Sequence, residues 1–281
     1  MFSLNYPITK NRKIETSDWF AFCNTMWMKR LIFLLPLWFI AYTILAQTLD
    51  NTKEPVFKVG EELKYKVKYG FITAAETTLQ VQETDVEFNG QDVQHLIAQG
   101  KTSGTFDIFY KVRNRYDSYI DKETLLPHLY TENIHESNYR RSDKVRFYQD
   151  QQKIVGNKGT FKGAKQTFDL VSAFYFARSL NLSGISVGEN IKMNYFLDDG
   201  VTELSVQYLG KERIKTSLGY LNCLKFSPSI QPGRIFRKDS RLYLWITDDG
   251  NRIPVKAQGE ILVGSLTLEI SGVKGLKYPL K

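Results

Sequence analysis

Three histidines, the adjacent aspartates Asp248 and Asp249, and Cys223 are the side chains of this sequence best suited to chemistry. His95, His128 and His135 do not fall into a metal-ligating run such as H-E-x-x-H, and no cysteine neighbours them. His135-Glu136 reads as a surface strand pair. Asp248-Asp249 could serve as an acid/base pair. The surrounding Trp245-Ile-Thr-Asp-Asp-Gly-Asn-Arg-Ile-Pro254 is instead the pattern of a tight turn between two apolar strands, in which Asp and Gly supply the turn. Gly100-Lys-Thr-Ser-Gly104 lacks the spacing of a phosphate-cradling loop and reads as a turn, and there is no G-x-S-x-G elbow or dinucleotide fingerprint. Cys223, between apolar neighbours in Leu221–Phe226, reads as a buried structural thiol. Arg113 and Arg115 share a strand face and could bind an acidic group, but a solvated face is the better reading of them. These patterns assign no catalytic residue, no metal ligands and no cofactor.

The elements that must position any site are mostly strands. In Glu62–Tyr69, Leu63, Tyr65, Val67 and Tyr69 point one way and Glu62, Lys64, Lys66 and Lys68 the other, which is a half-buried strand. Gly70 ends it and Thr73–Glu83 is its partner. Strand patterns recur at Val93–Gln99, Ile108–Ile120, His128–Glu136, Tyr139–Gln149 and Lys153–Val155. They continue at Ile191–Leu197, Thr202–Tyr208, Lys211–Thr216, Tyr220–Ser227, Arg241–Thr247, Ile253–Gln258 and Ile261–Ile270, the last with Leu262, Leu266, Leu268 and Ile270 on one face. Asp198-Asp199-Gly200, Leu218-Gly219 and Asp248-Asp249-Gly250-Asn251 are hairpin turns, because Asp and Gly tolerate positive φ. Gln231-Pro232-Gly233-Arg234 is a further loop. Short strands at this spacing predict a mainly β fold, an antiparallel barrel or sandwich, that is, a curved antiparallel sheet or a barrel, closed or partly open, and not a parallel α/β sheet.

Residues 169–180 break the rhythm. Asp169 can cap a helix by accepting a free N–H of the first turn, and the segment behind it is apolar nearly all round, as in a buried helix. Such a helix belongs across the mouth or inside the curve of the sheet. Arg178 then needs a carboxylate or carbonyl partner, since an unpaired buried charge is costly.

The start of the chain concerns address. Met28-Lys29-Arg30, an apolar run from Leu31 to Ala46 interrupted by Pro36, and Gln47 describe a secretory signal peptide cut after Ala46. The run is short for a membrane span, though an uncleaved signal anchor in the inner membrane is the alternative. No cysteine follows it to carry a lipid anchor. Residues 1–27 match no role, and translation from Met28 or Met26 would explain them. Residues 47–281 then form one exported domain in the periplasm or cell envelope. Five basic and two acidic residues lie before residue 47, which leaves 33 against 28 and a net charge of +5. So modest a charge on an exported domain does not favour nucleic acid. Cys23 precedes the apolar run, so Cys223 stands alone and a core rather than a disulfide must hold the domain together.

Three motifs together resemble the domain-of-unknown-function family three-one-zero-eight. They are Phe57-Lys-Val-Gly60-Glu-Glu-Leu-Lys-Tyr-Lys-Val-Lys-Tyr-Gly70 followed by Ala74-Ala-Glu, then Asp169-x-x-Ser172-x-x-Tyr175-x-x-Arg178, and Trp245-x-x-Asp248-Asp249-x-x-Arg252-x-Pro254. Ala75 stands where the family usually has glycine. The resemblance spans Val56 to the C-terminus. It implies an exported protein of Gram-negative bacteria, with a cut like those of Bacteroidetes, and a β-rich fold similar to the curved sheets of periplasmic lipoprotein carriers. It implies no activity. Gly60, Gly70, Asp169, Ser172, Asp248, Asp249, Arg252 and Pro254 are expected in structural roles.

Three functions fit these readings. The first is a non-catalytic module binding a lipid or other apolar or amphipathic ligand, with Tyr65, Tyr69, Tyr175, Arg178 and Trp245 as candidate contacts, because aromatic-rich barrels can line a cavity. The second is a structural or assembly partner of an envelope protein. The third is an envelope hydrolase using carboxylates near Asp248 and Arg178, which would have to converge in a cleft.

Overall fold

A computed structural model describes residues 54–229, 240–261 and 264–281. The leader, the signal segment, the loop at Gln231–Arg234 and Leu262 lie outside the described residues. The elements are, in order, β1 (Glu62–Tyr69), β2 (Ile72–Gln82), β3 (Glu87–Phe88), β4 (Gln91–Thr102), α1 (Thr105–Phe109), β5 (Arg113–Asp121), β6 (Pro127–Glu136), β7 (Tyr139–Tyr148), β8 (Lys153–Gly156), β9 (Gly159–Lys162), β10 (Thr167–Phe168), α2 (Leu170–Arg178), β11 (Asn190–Leu197), β12 (Gly200–Thr216), β13 (Gly219–Pro228), β14 (Leu242–Thr247), β15 (Pro254–Glu260) and β16 (Ser265–Lys274).

One sheet runs β10-β11-β12-β13-β14-β15-β16-β1-β2-β4-β5-β6-β7-β8-β9, with β3 paired to β4. Every pairing is antiparallel except β10 with β11. The two edge strands, β9 and β10, are consecutive in the chain and only residues 163–166 separate them, so the sheet curls until its edges meet. The meeting is a seam, not a ladder. Gln149 bridges it with its side-chain amide: Nε2 donates to the carbonyls of Thr167 (2.8 Å) and Pro127 (3.3 Å), and Oε1 accepts from Thr167 N (3.2 Å). Beside the seam Val145, Phe147 and Ile154 pack against Phe196 of β11. The fold is therefore a curved antiparallel sheet, barrel-like and not closed.

Turns alternate between the two edges of this sheet. One edge, called the rim here, carries the β1–β2, β6–β7, β8–β9 and β11–β12 turns and the β4–β5 crossover. The other, the base, carries residues 54–61, the turn 248–253 and the C-terminal segment. Inside lies α2, packed against Val56, Phe57, Leu96, Ile120 and Met193. It is held at its start by a capping box: Asp169 Oδ1 accepts from Val171 N (2.8 Å) and Ser172 N (2.9 Å), and Ser172 Oγ accepts from Asp169 N (3.0 Å). Its apolar faces leave it no stable place except in the interior. Leu49–Lys281 forms a compact unit of its own.

Three readings of the sequence need correction. Ile108–Tyr110 alternates as a strand would, yet residues 105–109 form one helical turn, α1. Asp107 causes this: it accepts from Thr102 Oγ1 (2.7 Å) and takes a two-pronged bond from Arg113 (2.6 and 2.9 Å), closing the loop. Ile108 and Tyr110 are consequently exposed, not on the inner face. Thr202–Tyr208 and Lys211–Thr216 are one strand, because Gly210, at φ 120°, sits in a β-bulge rather than a turn. Gly100–Thr102 is the end of β4 and not a turn.

Candidate functional site

Two clusters of ionisable side chains lie inside the curve of the sheet, one at each end of α2. At the base, Arg178 meets Glu61 in a forked pair, Nη1 to Oε1 at 2.6 Å and Nη2 to Oε2 at 2.9 Å. Nη2 also donates to the carbonyl of Asn251 (3.1 Å). The Arg178 and Glu61 side chains are 1% and 0% exposed. The guanidinium lies over the rings of Tyr175 (5.2 Å), Phe57 (5.8 Å) and Phe174 (5.9 Å). Burial alone would lower the pKa of Arg178, but the Glu61 carboxylate outweighs it and holds the pKa above its usual value. Burial pushes the hydroxyls of Tyr65 and Tyr175 up. Neither hydroxyl, nor Arg178 Nε, has a hydrogen-bond partner among the described residues.

The three sequence motifs converge here, Glu61 from the first, Arg178 from the second and Asn251 from the turn of the third. Gly60, at φ 88°, sets the bend before Glu61, and its carbonyl lies so close to Gly275 that a Cβ there would come within 2.0 Å of it. Asp249 Oδ1 accepts from Thr247 Oγ1 (2.7 Å), Asn251 N (2.9 Å) and Arg252 N (3.1 Å). Asn251 in turn exchanges two 2.9 Å bonds with the backbone of Tyr278, tying down the C-terminal segment. Arg252 adopts φ 48° with Nη1 buried and unpartnered among the described residues, and burial lowers its pKa. Pro254 opens β15 and Gly70, at φ 60°, turns the β1–β2 hairpin.

Of the five candidate contacts, the structure brings Tyr65, Tyr175 and Arg178 together. Tyr69 is exposed at the rim end of β1. Trp245 donates through Nε1 to Glu212 (3.1 Å) and has the ammoniums of Lys225 and Lys256 over its ring at 5.0 and 5.1 Å. Register lines it up with Lys66 and Glu269, and it shares a buried cluster with Leu63, Tyr65, Ile253 and Val255. Asp248 pairs with Lys211 at 2.6 Å and Arg178 with Glu61, so the two side chains hold different partners. Arg113 pairs with Asp107 and Arg115 with Asp117 on the outer face. Burial pushes the Cys223 thiol up to about 12, so it stays protonated at neutral pH.

The second cluster lines a pocket of about 140 Å³ at the rim, above the first residue of α2. Tyr116 and Tyr130 stack on one wall, 6.4 Å between ring centres, and Leu170 and Phe196 form another. Glu132 accepts from Tyr130 Oη (3.2 Å) and pairs with Arg141 Nε (2.6 Å), and Arg141 also reaches Asp143 (3.4 Å) and Asp198 (3.5 Å). Burial raises the pKa of Glu132 against the pull of Arg141, and burial, then Asp169 and Glu132, raises that of Tyr130. Sequence reasoning missed Glu132, Arg141 and Asp143. Their signal was phase: Glu132 alternates with Tyr130 and Ile134, and Arg141 and Asp143 with Val145 and Phe147, so charges occupy inward positions.

Among the described residues no group of His, Cys, Asp or Glu could hold a metal, and no helix is long and apolar enough to cross a membrane. No curated protein matches the chain. Among solved structures the chain is similar to a β-barrel-like protein of the domain of unknown function DUF1849 from Brucella abortus, at 10% identity, over 79% of this chain and 100% of that one, with a TM-score of 0.53. That likeness shows the fold. A protein with a YmcC-like fold from Bacteroides fragilis aligns at 10% identity over 80% of this chain and 100% of its own, with a TM-score of 0.39. The family model described as protein of unknown function (DUF3108) matches residues 64–271, which includes α2, the rim cluster and, of the base cluster, Arg178 and Asn251 but not Glu61, and the chain belongs to that family.

Proposed function

We propose that this protein is an exported, non-catalytic binding module of the cell envelope that holds an amphipathic molecule in the rim pocket. The observation that carries this reading is the division of the interior. The apolar body of α2 fills the base half, whereas the rim half keeps a pocket with aromatic and aliphatic walls and charged side chains toward the rim. Concave, mostly apolar sites with a few placed polar groups are the usual form of small-molecule sites. Carboxylates outnumber cations there, Glu132, Asp143, Asp198 and Asp199 against Arg141 and Lys158. A ligand with a hydroxyl or ammonium head and an apolar body fits this arrangement better than an anion. Export rests on the basic and apolar pattern of residues 28–47.

Titration of residues 49–281 with a dansyl-labelled alkylamine tests the reading. The wild-type domain should bind with a blue shift. Leu170→Asp, which puts a charge on the pocket wall at a helix position where an acid suits the dipole, should weaken binding by about tenfold or more. Absence of binding, or equal binding by Leu170→Asp, would sink it.

A further inference from the structure

The largest exposed apolar side chains gather at the rim. Phe71, Ile108 and Phe109 are 94%, 82% and 80% exposed, and Ile72, Tyr110 and Tyr139 are exposed beside them. They come from the β1–β2 hairpin, the β4–β5 crossover and the β6–β7 hairpin. Backbone bonds join these tips into one surface: Ser103 N donates to Ala74 O (3.1 Å) and Ser137 N to Lys111 O (2.7 Å). The fold gives no reason for them. Helix α1 buries none of its residues and has no side-chain cap.

The order of residue types repeats along two of the tips, and the third carries only the tyrosine and the cation. Phe71 follows Lys68-Tyr69-Gly70, Phe109 precedes Tyr110-Lys111, and Tyr139 precedes Arg140. An apolar end, then tyrosine, then a cation on the way back to the sheet is the layering that suits a bilayer interface. At the tips Lys68 is paired with Glu269, Glu76 with Lys101 and Asp107 with Arg113, and Glu136 keeps its charge beside the neutral donor Asn114 (2.7 Å), while Lys111 and Arg140 reach no carboxylate among the described residues, so two unpaired cations stand against one unpaired carboxylate there. The rim pocket opens on this same edge, so its mouth would face whatever the tips enter.

We infer that the rim is a membrane-docking surface, with the three tips entering the headgroup region of a lipid bilayer and Lys111 and Arg140 meeting anionic headgroups. Docking and ligand holding are separable, since the tips and the pocket use different residues.

The test is co-sedimentation of residues 49–281, the compact unit without the apolar run at 31–46, with vesicles of phosphatidylcholine and phosphatidylglycerol and with vesicles of phosphatidylcholine alone. The domain should bind, better to the anionic vesicles, and lose affinity as salt rises. The triple variant Phe71→Ser, Ile108→Ser, Phe109→Ser should lose about tenfold or more, because three large apolar contacts are removed. Val187→Ser with Tyr220→Ser removes exposed apolar side chains away from the three tips and should change nothing. Because the tip residues touch so little, the triple variant should keep the wild-type unfolding midpoint, and its alkylamine binding should persist. Absence of vesicle binding, or equal binding by the triple variant, overturns the inference. So does a wild-type dimer in analytical ultracentrifugation that the triple variant abolishes while vesicles remain unbound, which would assign the surface to a second copy of the chain.

Discussion

Arg178 carries a charge into a place from which water is excluded, and the structure answers it from two sides of the base with the Glu61 carboxylate and the Asn251 carbonyl. A buried forked pair is weak evidence for net stability, because two charges had to leave water. Breaking one side is a different matter, since the other charge is left buried and alone. Arg178→Met or Glu61→Gln should lower unfolding free energy by about 3–5 kcal/mol, read by urea denaturation, and the double replacement Glu61→Met with Arg178→Met should recover much of the loss. Additive losses in the double variant would show that the two side chains do not act as a pair. That Arg178 needs such a partner was legible in the sequence, because it ends a helix apolar nearly all round. That the partner is Glu61 was not. It stands next to Glu62 at the start of an alternating strand, and only the bend at Gly60 and the fold of the base decide which of the two acids turns inward.

At the scale of elements, α2 is the best-specified piece of the molecule. Its cap, its apolar faces and its length were all readable, since they are local. The hairpins at Asp198-Asp199 and Asp248-Asp249 were readable for the same reason: turn chemistry is set by two or three adjacent residues. Helix α1 and the unbroken β12 were not, because a fork from Arg113 and a bulge at Gly210 override the local pattern. The cap also carries a pH prediction. Asp169 accepts from Ser118 Oγ (2.6 Å) as well as from its own helix, yet burial raises its pKa above the ordinary carboxylate value despite these donors. The folded chain therefore binds this proton more tightly than the unfolded one. The resulting stability is complete below the ordinary aspartate pKa of about 4 and is lost as pH rises through the folded value. Asp169→Asn keeps an accepting oxygen and removes the titration, so urea midpoints between about pH 4 and pH 7 should fall less steeply in the variant than in the wild type. Parallel curves would assign the slope to other groups.

At the scale of the whole molecule, the sheet is long enough to close on itself and stops short of doing so. Its seam is bridged by the Gln149 amide, a cluster of aromatic and aliphatic side chains, and the ion pairs of Arg141 with Asp198 and Lys158 with Asp199, where a ladder would otherwise run. Antiparallel pairing was foreseeable from strand spacing, whereas the meeting of β9 and β10 depends on two short strands with almost no sequence signal. The same incompleteness leaves the rim half of the interior lined by charged and aromatic side chains while α2 fills the base, and the proposed function rests on that division. Native mass spectrometry of residues 47–281, purified from the periplasm without detergent, tests it most directly. An added mass that organic solvent extracts, that matches an amphipathic molecule and that Leu170→Asp abolishes is the predicted result. A clean apo mass for the wild-type domain, together with no uptake when a cell-envelope lipid extract is added back, would contradict it.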